Sequence, residues 1–375
     1  MHKLSAATML TVVLAGPAGV AAQVPEWRLS RSPVLTIGEL DGREAYLFKS
    51  VAGGRLLRDG RILVADRGFL DFRVYDQRGT LRARFGGRGR GPREFLHIGG
   101  FWFAGTDTIA VWDAENQRVT LFDSDGAYLR TVRVTGSPGG GNVEIAYGPV
   151  GRNEFILASL SFGPVSREAV PDQWALARFD LGGAFRGDAG TIRGMWRADR
   201  VPIPFSPIPH AIILRDSLYV ADGYEPEITI RDARGATVRT IRVPQARNVS
   251  AAAIWSALEA RLHEERKHLF IEYLEKEQVP RDSRFPTIGG LLADEDGNLW
   301  VKSYDPLSDA IWLKPNALAP ASGGEWRVIR PDGRIVATVR MPNNVRPLHV
   351  RSNRLLGVAV DELGVERIVV HTILR

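Results

Sequence analysis

The chain has 375 residues, 44% of them hydrophobic and 25% charged, with a formal net charge of +6. These are ordinary globular values, so disordered and collagen-like classes are excluded, and the basic residues are dispersed rather than gathered in a tail. Cysteine is absent, which removes disulfides, thiolate nucleophiles, Cys-ligated zinc, iron–sulfur clusters and the lipidated cysteine of a bacterial lipoprotein.

Residues 1–22 read as a secretory signal. His2 and Lys3 make a short polar start, Leu4 to Ala15 is apolar, and Gly16-Pro17 breaks the run. Val20-Ala21-Ala22 then places small residues before Gln23. The apolar stretch is shorter than the roughly 20 residues that span a bilayer. The expectation is cleavage after Ala22, leaving residues 23–375 as one domain, periplasmic or secreted and not inserted in a membrane.

Residues 32–40 (SPVLTIGEL) predict a lone strand with no hairpin partner. Beyond it a repeat begins: an alternating strand, Asp-x-x-Gly, then a second alternating strand. It appears as FRVYDQRGTLRARF, VTLFDSDGAYLRTV, LARFDLGGAFRGDA and ITIRDARGATVRTI, and again as WRVIRPDGRIVATV with Arg330 in place of Asp. Alternation of period two puts one face of each strand against a core. Asp bonds its own backbone two residues on, and Gly79, Gly126, Gly183, Gly235 and Gly333 supply the positive φ of a tight turn. Each copy is therefore a β-hairpin.

A buried strand precedes most hairpins, as in RILVADRG, TIAVWDAEN, SLYVADGY and NLWVKSYD, and a short apolar segment with glycine precedes that. Four strands in about 50 residues is the pattern of a propeller blade. Blades are expected at about 49–88, 95–134, 142–195, 208–243 and 285–341. The final segment, residues 348–374, holds only three strands, so residues 32–40 are expected to supply its fourth and close the ring. The fold class is all-β: a six-bladed β-propeller of four-stranded antiparallel blades. Residues 250–280 interrupt it with a helical insertion, where Ile254, Trp255, Leu258 and Leu262 recur at helical spacing.

These residues resemble the NHL-type and TolB-like six-bladed propellers. LYVADGYEPEITIRDARG and ILVADRGFLDFRVYDQRG are similar to the NHL repeat line, and GVAVDELGVERIVVHTI to the closing blade of secreted bacterial six-bladed propellers. The resemblance implies the fold and leaves activity open, because propellers host many functions.

Propellers carry ligands at the central channel, at the start of each innermost strand. Alignment of the blades puts Lys49, His97, Glu144, His210, Thr287 and His349 there. His97, His210 and His349 fall in alternate blades, and three imidazoles converging on the axis could hold zinc with a fourth position open for water. Glu144 could then act as a base. This arrangement resembles the amidating lyases that act on peptidyl-hydroxyglycine. Lys49 and Thr287, with Phe205 from the proline-dense segment VPIPFSPIPH, are candidate ligand contacts. Asp66, Asp113 and Asp222 share a blade position and are read as turn caps. Arg82, Arg84, Arg88, Arg90 and Arg93 surround glycines but lack a P-loop's Gly-Lys-Ser/Thr, and are read as a solvated connection with no nucleic-acid role.

The leading expectation is an exported binding module with no catalysis and no cofactor, whose partner is a peptide, a glycan or an envelope protein. The alternative is a zinc-dependent lyase or hydrolase built on His97, His210 and His349.

Overall fold

The computed structural model describes residues 24–136, 143–161, 170–198, 201–203, 205–244, 285–309 and 323–375. Between 245 and 284 it also describes Ala252, Trp255, Ser256, Glu259, Ala260, His268, Glu272, Glu275 and Lys276, all helical. The rest of the expected helical insertion, and the expected signal segment 1–22, lie outside the described residues.

The Asp-x-x-Gly hairpins form as their chemistry dictates. Asp76 accepts the backbone N–H groups of Arg78 and Thr80, each at 2.9 Å, while Gly79 turns at φ 81°. Asp123, Asp180 and Asp232 repeat this pattern in their own turns. Where Arg330 replaces Asp, Asp332 takes over one of those bonds, accepting the Arg334 N–H.

These hairpins belong to antiparallel blades. Blade one holds β3 (Val51–Leu56), β4 (Ile62–Asp66), β5 (Asp71–Tyr75) and β6 (Leu81–Gly86). Blade two runs from β7 (Ile98–Ala104) through β8 (Thr108–Asp113) and β9 (Arg118–Asp123) to β10 (Tyr128–Arg133). Blade three has β11 (Val143–Val150), β12 (Glu154–Ser161), β13 (Val170–Asp180) and β14 (Phe185–Ala198), with a short fifth strand, β15 (Val201–Pro202). Blade four comprises β16 (His210–Leu214), β17 (Ser217–Ala221), β18 (Glu227–Arg231) and β19 (Thr237–Arg242). Blade five comprises β20 (Ile288–Ala293), β21 (Leu299–Ser303), β22 (Gly324–Ile329) and β23 (Ile335–Met341). Blade six has only β24 (Val345–Arg351), β25 (Arg354–Val360) and β26 (Glu366–Leu374) from the C-terminal end.

The N-terminal segment completes it. β2 (Leu35–Ile37) pairs antiparallel with β26, Leu35 opposite Val370, as the lone strand 32–40 was expected to do. A second strand, not expected from sequence, does more. β1 (Glu26–Leu29) pairs antiparallel with β26 and parallel with β23, so it laces blade six to blade five. Trp27 from this strand is buried against Trp300, with ring centroids 6.2 Å apart.

A blade has two apolar faces, and each is buried only by its neighbours. In β4, Leu63 and Ala65 join Phe72 and Phe85 in a core shared with Phe95 and Phe122 of blade two. The alternate residues Ile62 and Val64 face blade six, packing with Leu356, Val358 and Ile368. The same sharing recurs at each blade boundary around the ring. All five residues of β4 are buried, as expected of a strand covered on both faces.

Candidate functional site

The innermost strands β3, β7, β11, β16, β20 and β24 surround the axis in chain order. Small residues let them approach. A Cβ on Gly53 would meet the Phe101 ring of β7 at 2.8 Å, and one on Gly54 would meet the Leu348 side chain of β24 at 3.1 Å. Where these strands begin, they leave a cavity of about 970 Å³. Its wall is mainly apolar and aromatic, with Phe101, Tyr147, Trp174, Leu291 and Leu348 among the contributors. Arg67, His97, Glu115, Glu144 and His210 bring charge and hydrogen-bonding capacity to it.

Arg67 is positioned by a hydrogen bond from its Nε to the Ile98 carbonyl oxygen at 3.2 Å, and burial lowers its pKa. Tyr147 is surrounded by protein yet borders the cavity. Burial holds its phenol protonated, well above the ordinary value. The cavity thus offers a neutral hydroxyl and apolar walls within, and both signs of charge among its lining groups.

His97, Glu144 and His210 come from successive blades and share this cavity. His349 does not join them. It is the fifth residue of β24, near that strand's far end, and its Nδ1 accepts the Leu56 N–H at 3.2 Å. Its Nε2 lies 3.8 Å from the Glu295 carboxylate. Burial, with Arg55 and Arg351 nearby, lowers its pKa to about 3, so the ring is neutral. The expected histidine triangle is therefore corrected. Alignment placed His349 four residues too early in its blade, because Val345 rather than His349 opens the strand. Among the described residues no three His, Cys, Asp or Glu side chains are grouped to hold a metal ion.

The expected ligand contacts are also relocated. Lys49 is exposed and lies over the Phe69 ring at 4.5 Å, outside the cavity lining. Thr287 is committed to Gly223, whose carbonyl oxygen accepts from its backbone N–H at 2.7 Å and its hydroxyl at 3.3 Å. Phe205 is buried, edge-on to Trp255 at 4.8 Å and Phe285 at 4.7 Å, so the proline-dense segment is packed rather than presented to a ligand. Conversely, Arg67, Glu115, Tyr147 and Trp174 were missed as cavity residues. Arg67 and Glu115 follow the second strand, where the Asp-centred turns had been read as scaffold alone.

Those turns are scaffold for the cavity. Asp66 accepts the N–H groups of Lys49 at 2.9 Å and Gly68 at 2.8 Å, fixing both the approach to β3 and the turn that carries Arg67. Asp113 accepts from Leu96 and His97 in the same way. Asp222 accepts from Tyr224 and Glu225, and pairs with Arg193. The basic segment is likewise internal structure in part: Arg118 donates to the carbonyl oxygens of Arg90, Gly91 and Glu94.

A family model described as 6-bladed beta-propeller (DUF5128) matches residues 40–142. No curated protein matches the chain by sequence. Two solved structures share the fold over nearly the whole chain. A member of the DUF4221 family from Bacteroides vulgatus ATCC 8482 is 11% identical, covers 94% of this chain and 99% of its own, and has a TM-score of 0.55. A candidate exported protein from Bacteroides fragilis NCTC 9343 is 10% identical, covers 93% and 96%, and has a TM-score of 0.52. At this identity the likeness concerns the fold.

Proposed function

We propose that this propeller is an exported binding module that holds a peptide segment in the cavity where its innermost strands begin. The observation that carries the reading is the cavity itself. About 970 Å³ of largely apolar and aromatic wall accepts side chains, while Arg67 on one hand and Glu115 and Glu144 on the other complement a chain's carbonyls and charges. Ligand sites of this kind use apolar burial for affinity and a few polar groups for orientation. The site is read as one of binding without turnover, its His97, His210 and Glu144 side chains serving to orient the ligand. Export rests on the pattern of residues 1–22, and a structural neighbour described as a candidate exported protein accords with it. The blade repeat is read as NHL-type on its Ala-Asp and Asp-x-x-Gly motifs. In the described residues no helix is long and apolar enough to cross a membrane.

The test is a titration of the chain from Gln23 onward with a peptide library and, in parallel, a panel of glycans. Saturable peptide binding that is lost in Ala211→Trp, which fills the cavity, and weakened in Glu144→Gln supports the proposal. Glycan binding with the same sensitivity replaces the peptide by a sugar. Peptide binding that survives Ala211→Trp removes the cavity from the mechanism.

A further inference from the structure

The innermost strands have two ends, and the second end carries a different chemistry. Arg55 lies near the end of β3, Phe103 near the end of β7 and Arg351 at the end of β24, while Glu295 follows β20. With Arg58 they line a small hollow of about 80 Å³. A water molecule's share of liquid volume is about 30 Å³, so the hollow suits a compact group rather than a chain.

Three guanidinium groups line it against one carboxylate. Glu295 is already engaged, accepting from Arg351 Nη1 at 2.6 Å. Arg55 has no carboxylate within ion-pair distance among the described residues, and its guanidinium stacks over Phe103 at 4.9 Å. Arg58 is exposed and likewise has no ion-pair partner there. His349 beside them is neutral and adds no charge. Burial lowers the pKa of Arg55; Glu295 opposes the shift and Arg351 and Arg58 add to it, so this cation sits in a poorly solvated place with two like charges near it. Two of these cations come from blade one and the third from blade six, and an anion bound among them relieves their mutual repulsion.

We infer that the hollow formed by Arg55, Arg58 and Arg351 is a binding site for a small oxyanion, a carboxylate or phosphate group. Guanidinium forks match either group with paired, charge-assisted hydrogen bonds. Phe103 holds the Arg55 plane in place from the other face. This site and the peptide cavity lie at opposite ends of the innermost strands, so either assignment can fail without the other.

The experiment titrates inorganic phosphate and, separately, propionate into the chain from Gln23 onward, followed by calorimetry at constant ionic strength. The expected result is saturable binding of one or both at one site, weakened about tenfold in Arg55→Gln, as loss of a charge-assisted bond requires. Arg58→Gln, an exposed change that leaves packing intact, weakens it less. Glu295→Gln tightens it several-fold by removing the competing carboxylate, a gain that a merely damaged fold does not produce. Arg234→Gln, on an exposed hairpin elsewhere, leaves it unchanged. Preference for phosphate or propionate identifies the source chemistry. Absence of saturable binding by either anion overturns the site, as does binding indifferent to Arg55→Gln or to Glu295→Gln.

Discussion

The Asp66 carboxylate accepts the backbone N–H of Lys49 at 2.9 Å, joining the end of the second strand of blade one to the approach of its first. The same carboxylate holds Ser50, Gly68 and Phe69 through their N–H groups, and it is fully buried. One side chain thus sets the entry of the innermost strand and the turn presenting Arg67. Removing it leaves several backbone donors without an acceptor, each costing about 1–3 kcal/mol where water cannot replace it. Asp66→Ala is expected to lower stability by about 3 kcal/mol in urea denaturation. Asp222→Ala, at a more exposed equivalent turn with fewer such bonds, is expected to cost less. Equal costs would show that the turn, not the strand entry, is what these carboxylates stabilise.

The N-terminal clasp is expected to govern opening of the ring. β1 hydrogen-bonds to both β23 and β26, and the Ser30 carbonyl oxygen and hydroxyl meet His371 and Thr372. Trp27→Ala removes a buried indole and is expected to cost about 3–5 kcal/mol. Hydrogen exchange should then rise in β1, β2 and β26 before it rises in blades two to four. Uniform loss of protection around the ring would contradict a clasp.

The His349 ring gives a signed pH dependence. Its pKa is about 3 in the folded protein against 6.5 as the ordinary value, so the unfolded chain binds the extra proton between those limits. Stability from this group is complete above pH 6.5 and is lost as pH falls toward 3. At 1.36 kcal/mol per pKa unit the loss reaches up to about 5 kcal/mol. His349→Gln is expected to be less stable than wild type at pH 7, since the acceptor for Leu56 changes. It should also show a shallower decline in denaturation midpoint between pH 7 and 4. Parallel declines in the two proteins would place the titration elsewhere.

Lys302 and Asp309 form a buried pair, Nζ lying 2.5 and 2.6 Å from the two carboxylate oxygens, with side chains 0% and 2% exposed. Breaking such a pair strands a charge. Asp309→Ala is expected to cost about 3–5 kcal/mol, whereas replacing both by apolar residues of similar volume, Lys302→Met with Asp309→Leu, is expected to be near neutral. Thermal unfolding of the two variants decides it. A double variant as damaged as the single one would mean the Asp309 bond to the Asp305 N–H matters more than the charges.

Acid should weaken the exposed hairpins by a second route. Asp76 and Asp180 have lowered pKa values through turn N–H groups and a neighbouring arginine, and Asp361 through Arg367 first and its turn N–H groups second. Their contribution is present above the ordinary aspartate value and lost as pH falls through the lowered one. Asp76→Asn, Asp180→Asn and Asp361→Asn combined are expected to flatten the decline of stability below pH 4, measured by urea titration. An unchanged slope would remove these turns from the acid response.

What the sequence determined by itself was local and periodic. Alternation in segments such as ILVAD and FRVY, with Asp-x-x-Gly between strands, encodes hairpins because side-chain direction and turn conformation depend on a few adjacent residues. Strand count then required residues 32–40 to close the ring, and Leu35–Ile37 does so. What only tertiary structure decided was register across blades and which side chains share a space. His349 carries no local mark of its depth in β24, and a misplaced strand start moves a residue from one channel end to the other. Phe205 looked available until Trp255 and Phe285, distant in sequence, covered it. The hollow at Arg55 gathers residues from four blades whose proximity no segment records, since neighbours across an axis are set by closure of the ring.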